Sequence, residues 1–285
     1  MVTGELVAID GVRSFVHDSG LRTQSEAVVF VHGNPGPMDD WESLLPPVSR
    51  FARVVAMDLP GYGRADHPRD FDFTVEGYAR YLGKLLDGLG VKRVHLVLHD
   101  FGGPFGLAWA AAHRVHVASL TLINTGVLQG FKWHKYARVW QTPLLGELFM
   151  LFTSAQTMKP LVDADQPKPL PPGFYENALK YTDKLSKRGV LALYRSTRDV
   201  EGVFGPLGAA LKGLDVPVCV VWGAGDPYIP VALAARQREF FPQAEVHELP
   251  GAGHWPMHDD PDALHALVVP FLERAHRRPH AQLVR

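Results

Sequence analysis

Apolar and polar positions alternate between two regimes along this chain. Short, largely apolar runs at Ala27 to His32, Arg53 to Asp58, Val94 to Leu98, Val117 to Asn124, Val216 to Trp222 and Ala244 to Leu249 read as buried strands. Stretches with helical spacing lie between them. Thr74 caps one that runs to about Leu89, with Glu76 in its first turn and Gly90 past its end. Pro104 to Ala112 is another, and Pro261 to about Ala275 is the last. Leu6 to Ile9 and Arg13 to His17 flank Asp10-Gly11, a strong signal for a hairpin turn. Strands alternating with helices predict an α/β fold: a mostly parallel central sheet flanked by helices.

The alternation breaks between about Val127 and Leu214. Helical apolar spacing appears there, as in Leu144-Leu145 through Leu151-Phe152, together with the proline-rich stretch Gln166 to Pro172. A structureless loop of that length is implausible in a compact domain. The pattern predicts a helical lid, residues 127–214, inserted into a core made of residues 1–126 and 215–285. There is no internal repeat. The basic, polar tail from His276 to Arg285 is expected to fray.

Composition narrows the class. With 285 residues, 46% of them hydrophobic and 21% charged, the chain is ordinary globular material. A formal net charge of -1 gives no reason to expect nucleic acid or an anionic membrane as partner. No apolar run reaches the roughly 20 residues a membrane span needs. The first residues have neither the basic nor the apolar stretch of a secretory leader. The single cysteine, Cys219, lies in an apolar run and reads as a buried thiol, unable to form an internal disulfide. These features fit a cytoplasmic protein. The 14 histidines form no convincing metal cluster, since Pro256 separates His254 from His258 on any helix face. Neither a metal nor an organic cofactor is expected.

The chemistry concentrates in a few segments. Leu98-His99-Asp100-Phe101-Gly102-Gly103 joins a strand to a helix through a sharp turn, with Asp100 at its tip. A carboxylate needs no base to be a nucleophile at neutral pH. On an ester carbonyl it would form a reactive anhydride; on an sp3 carbon it forms a stable alkyl ester. Asp100 therefore points to opening of a C–O or C–halogen bond. Trp222-Gly223-Ala224-Gly225-Asp226-Pro227 and Gly251-Ala252-Gly253-His254-Trp255 each follow a predicted strand. Alone, Asp226 would be a loop acid and His254 a structural histidine. In the order nucleophile, acid, histidine they form a triad pattern. His32-Gly33-Asn34-Pro35-Gly36 follows an early strand.

Together these segments resemble the α/β-hydrolases of the epoxide hydrolase and haloalkane dehalogenase group, over nearly the whole chain. The resemblance implies an alkyl-enzyme ester on Asp100, hydrolysed by water that His254 activates and Asp226 helps to orient. It implies an oxyanion hole from the backbone N–H groups of Asn34 and Phe101. Position 124, where some relatives carry the acid, is Asn124, which leaves that role to Asp226. His254 must be neutral to act, with an ordinary pKa of about 6.5.

The two families differ in how they hold the leaving group. Epoxide hydrolases of this fold use two lid tyrosines. Tyr136, four residues before Trp140-Gln141-Thr142-Pro143, and Tyr194, in Leu193-Tyr194-Arg195-Ser196, stand in matching contexts; Tyr175 and Tyr181 are spares. Dehalogenases commonly use a Trp after the nucleophile, where this chain has Phe101, which lacks an N–H donor. Asn34 resembles their second donor, Leu98 also departs from the usual epoxide hydrolase elbow, and Trp133 or Trp140 could compensate. Fluoroacetate dehalogenases place Arg where Phe101 stands. The preferred expectation is an epoxide hydrolase acting on a small apolar epoxide and water to give a vicinal diol, as a monomer or homodimer. Haloalkane dehalogenase is the alternative. A non-catalytic receptor has little reason to keep all four segments. Trp133, Trp140 and Trp255 are expected in the substrate pocket, and Phe131, Phe149, Met150 and Phe152 make the lid apolar.

Overall fold

The computed structural model describes residues 1–20 and 24–278. The strands are β1 (Glu5–Ile9), β2 (Val12–Asp18), β3 (Glu26–Val31), β4 (Val54–Met57), β5 (Arg93–His99), β6 (Val117–Ile123), β7 (Val218–Gly223) and β8 (Glu245–Leu249). They form one sheet in the order β1-β2-β4-β3-β5-β6-β7-β8. β1, β2 and β4 pair antiparallel, and every pairing from β4 through β3 to β8 is parallel. The β1–β2 hairpin closes through Asp10 at φ 50 and Gly11 at φ 79, two successive left-handed residues that match the twist of the strands.

Helices α1 (Leu45–Ser49), α2 (Val75–Gly88) and α3 (Gly102–Ala112) connect the first strands. Between β6 and β7 run α4 (Lys135–Gln141), α5 (Leu145–Leu151), α6 (Ala155–Asp163), α7 (Phe174–Leu179), α8 (Lys184–Ser196) and α9 (Val200–Leu211). α10 (Ala232–Arg236), α11 (Pro256–Asp259) and α12 (Pro261–His276) follow β7 and β8. None of the described helices is long and apolar enough to cross a membrane.

The signals read from the sequence work as expected locally. Thr74 Oγ1 accepts the Gly77 N–H at 3.0 Å, and Gly90 leaves α2 at φ 69. Within the insert, Ser154 and Thr157 cap α6 reciprocally, and Asp183 and Ser186 do the same for α8. The central strands β4, β5, β6 and β7 are buried along their whole length, as parallel strands covered on both faces must be. Cys219 sits fully buried in β7, as expected. The tail was expected to fray; His276 ends α12, and residues 279–285 lie outside the described residues.

α3 starts two residues earlier than the apolar pattern indicates, at Gly102. There the chain passes so close to β3 that a Cβ on Gly102 would collide with the Val31 carbonyl. That contact sets the angle at which β5 turns into α3. Gly102→Ala should cost about 2 kcal/mol, the usual penalty for overpacking a tight contact. Urea unfolding checks it, and stability equal to that of the wild type would show that the turn has slack.

Candidate active site

The candidate triad and Asn34 stand on loops at the carboxyl ends of the parallel strands, where α/β sheets place ligands, whereas Tyr136 and Trp140 stand on α4 and Tyr194 on α8. Asn34 follows β3, Asp100 follows β5, Asn124 follows β6, Asp226 follows β7 and His254 follows β8. Asp100 has φ 49, a left-handed conformation that an L-residue adopts at a cost. Its carbonyl is pinned there by the Gly103 N–H at 2.9 Å and the Thr125 hydroxyl at 2.6 Å. On the side-chain flank the loop after β3 comes so near that a Cβ on Gly33 would strike the Asp100 carboxylate.

One imidazole joins the two acids. His254 Nδ1 donates to Asp226 Oδ2 at 2.9 Å, and its Nε2 lies 3.5 Å from Asp100 Oδ2. Asp226 is fully satisfied: Oδ2 also accepts from Asn124 Nδ2 at 2.7 Å, and Oδ1 accepts the Tyr228 and Ile229 N–H groups at 2.8 and 3.0 Å. Asp100 Oδ1 accepts the Asn34 N–H at 2.7 Å. The Asn34 side chain donates to the Tyr194 hydroxyl at 3.4 Å, so Asn34 touches both.

The charges follow from these contacts. Burial raises the cost of charging Asp100, but the His254 hydrogen bond and charge outweigh it and hold its pKa below the ordinary value. Burial also opposes charge on His254, yet Asp226 and Asp100 push its pKa up to about 10. This differs from the ordinary imidazole value expected from the sequence, because two anions face one ring. His99, missed in the sequence, donates from Nε2 to the His254 carbonyl at 2.8 Å. Burial and the nearby His254 charge hold its pKa down to about 4, so it stays neutral. Burial and then the Asp100 charge keep the Tyr194 hydroxyl protonated well past its normal range.

The segments around His254 are tied down as well. Its N–H donates to Gln166 Oε1 at 3.1 Å, and the preceding Gly253 N–H donates to Asp259 Oδ2 at 2.7 Å. Gln166 comes from the proline-rich stretch of the insert. Its sequence marked a loop but gave no sign that it reaches the core site. Asn124 was noted as a missing acid; its role as a clamp on Asp226 depends on a spatial pairing that spacing does not reveal.

Asp100, His254 and Asp226 therefore come together, as do Asn34 and Tyr194. Phe101 stands at the N-terminus of α3, its ring against Trp133 and Tyr194 at centroid distances of 5.9 and 5.0 Å. Two expected residues are placed differently. The Tyr136 ring lines the cavity, but its hydroxyl donates to the Leu161 carbonyl at 3.0 Å, because α6 packs where that hydroxyl points. The Trp133 N–H donates to the Thr197 carbonyl at 3.0 Å, and its ring lines a recess beside Asp100 rather than the main cavity. Trp140 and Trp255 do line the main cavity, of about 110 Å3 and mostly apolar, together with Tyr62, Met150, Phe174 and Tyr228. Met150 thus faces it, whereas Phe152 is 65% exposed. The spares Tyr175 and Tyr181 line it too, with the Tyr175 hydroxyl bound to Asp163 at 2.6 Å.

The chain belongs to the alpha/beta hydrolase fold family, whose model matches residues 26–261. Among curated proteins it is 27% identical to a 2-hydroxy-6-oxononadienedioate/2-hydroxy-6-oxononatrienedioate hydrolase from Burkholderia vietnamiensis, over 94% of each chain. It is also 27% identical to epoxide hydrolase 3 from Xenopus tropicalis, over 90% of this chain and 76% of the relative. Among solved structures, haloalkane dehalogenase DbeA from Bradyrhizobium elkani superposes with a TM-score of 0.83 at 23% identity, covering 95% of this chain and 98% of that one. The protein is thus a hydrolase of this fold.

Because Asp100 supplies part of the field that raises His254, Asp100→Asn should lower the His254 pKa. The imidazole should then be neutral at a pH where it is charged in the wild type. Titrating the ring by NMR in both proteins checks this, and an unmoved midpoint would mean that Asp226 alone sets it.

Proposed function

We propose that this protein is an epoxide hydrolase that converts a small apolar epoxide to a vicinal diol through an ester on Asp100. The observation that carries the reading is the reach of Asn34. It places its backbone N–H on a carboxylate nucleophile and its side chain on a protonated phenol, Tyr194, in a cavity walled mainly by apolar side chains.

The steps balance. Asp100 Oδ2 forms a bond to an epoxide carbon, and the C–O bond breaks with its electron pair going to oxygen. Tyr194 gives that oxygen its proton and becomes a phenolate, held by the Asn34 amide. Once Asp100 is an ester, His254 releases its resting proton to solvent and, neutral and oriented by Asp226, takes a proton from water; it regains the released proton when Asp100 is an anion again. The resulting hydroxide adds to the Asp100 carboxyl carbon. The backbone N–H of Asn34, already on Oδ1, and that of Phe101 hold the oxyanion, each worth about 3 kcal/mol by analogy with serine enzymes. Collapse expels the diol oxygen, which takes the proton from His254. The new carboxylic acid of Asp100 returns its proton to Tyr194. Once Asp100 is an ester its charge is gone, which lowers the His254 pKa when a neutral base is required. Water, the co-substrate, is the only other reactant.

A second reading, haloalkane dehalogenation, has its own support. The Trp140 indole N–H is buried and has no hydrogen-bond partner among the described residues; the ring lines the cavity, close to Tyr194. With the Asn34 amide it could hold a halide. Hydrolysis of an oxo-dienoate, as in the name of the Burkholderia relative, fits less well. A carboxylate adding to a carbonyl ends in an anhydride. The lysine on the cavity wall, Lys187, is already bound to the Thr153 carbonyl at 2.9 Å.

Mass spectrometry of intact His254→Gln protein separates the readings. Exposed to styrene oxide, it should gain the mass of the whole epoxide and keep it; Asp100→Ala should gain nothing. A gain of only the alkyl group, from 1-bromobutane and not from the oxide, would make the protein a dehalogenase. Tyr194→Phe should slow styrene oxide turnover by about 10²-fold or more, the lower range for a positioned general acid, as measured by diol formation. An undiminished rate would remove Tyr194 from the reaction.

A further inference from the structure

His134 has no place in the reaction above, yet it stands in the same cavity. It is the residue before α4, and its Nδ1 accepts the Ala137 N–H at 3.3 Å, capping the helix. An acceptor at Nδ1 leaves the single proton of a neutral ring on Nε2. Among the described residues nothing is hydrogen-bonded to that Nε2. The ring stands edge-on to Tyr194 at a centroid distance of 6.4 Å and against Tyr228 at 5.0 Å. It lines both the main cavity and the recess beside it, and Asp100 lines both as well. Burial, reinforced by the His254 charge, holds its pKa down to about 4, so the ring is neutral through the range in which hydrolases work.

The arrangement amounts to a fixed N–H donor in the cavity and recess that Asp100 also lines, in a neighbourhood that lacks one of its two expected donors. The Tyr136 hydroxyl, two residues further on, is committed to Leu161. We propose that His134 is a catalytic residue: its Nε2–H, together with the Tyr194 hydroxyl, holds the atom that departs when Asp100 attacks. The division of labour follows from acidity. A neutral imidazole N–H is a far weaker acid than a phenol, so Tyr194 transfers its proton to the departing oxygen while His134 keeps its own and stabilises the developing charge through a hydrogen bond. The proton balance of the cycle is unchanged. This inference rests on the alkyl-enzyme reading and names the second leaving-group donor for it.

Capping and donation can be separated by substitution. Asparagine is among the best N-cap residues, so His134→Asn keeps an acceptor for the Ala137 N–H while removing the Nε2 donor. His134→Tyr restores a long side chain that ends in a donor. Both changes are made in the His254→Gln protein, with styrene oxide and 1-bromobutane as separate probes. Adduct formation is timed by intact mass, and the melting temperature of each variant is recorded. In His134→Asn, adduct formation from styrene oxide should slow about 10²-fold at an unchanged melting temperature, and His134→Tyr should recover much of the rate. Equal rates with and without the imidazole overturn the proposal. So does a slowing that accompanies a lower melting temperature and that tyrosine does not relieve, since that is a structural role. Failure of the parent reading looks different: His254→Gln alone then forms no adduct with either probe, and both ideas fall. An adduct from 1-bromobutane alone overturns the epoxide reading, and the same comparison, with the same criteria, is then read on bromide departure.

Discussion

A single imidazole shared by two buried carboxylates is the constraint around which this molecule is arranged. Removing a carboxylate from water costs several kcal/mol unless donors replace the solvent. The two acids meet that cost unequally. Asp226 receives donors on both oxygens from Asn124, His254, Tyr228 and Ile229, which replace the solvent it has lost. Asp100 receives one backbone N–H and a longer contact from His254, and lies open to the cavity. The better-solvated acid fixes the ring; the less solvated one keeps lone pairs available for reaction.

Three titratable neighbours of this trio are kept uncharged. His99 and His134 are held neutral by burial and by the His254 charge, and Tyr194 stays a phenol. A further cation there would bind the Asp100 carboxylate and blunt it. The neutral neighbours instead offer directed N–H and O–H groups whose orientation other contacts already fix: the helix cap for His134, the His254 carbonyl for His99, the Asn34 amide for Tyr194.

Much of this was legible in the amino-acid order because local chemistry demanded it. The hairpin needed Asp10-Gly11, α2 needed Thr74 and Gly90, and the buried parallel strands needed unbroken apolar runs. The strand–turn–helix around Asp100 and the segments holding Asp226 and His254 were visible for the same reason. What escaped was decided by packing between distant parts. Tyr136 and Tyr194 looked equivalent in context, and only the docking of α6 turns one hydroxyl away. Trp133 carried a suitable N–H, but α8 ends where the Thr197 carbonyl takes it. Asn124, His99, His134 and Gln166 owe their positions to partners 88 to 155 residues away in the sequence or to a cavity that exists only in three dimensions, so no periodicity announces them.

The hydrogen bond from the His254 backbone to Gln166 has a consequence for size selection. The proline-rich stretch runs between Val162 and Phe174, which both line the cavity, and it also holds the His254 backbone. A guest bulky enough to push that stretch outward would pull on the loop of His254 as it entered, detaching the ring from Asp226 before any bond is broken. Such a molecule would be turned away through loss of reactivity instead of by collision. Room for larger guests has to come from elsewhere on the wall, around Met150 in α5, whose next neighbours Leu151 and Phe152 are exposed.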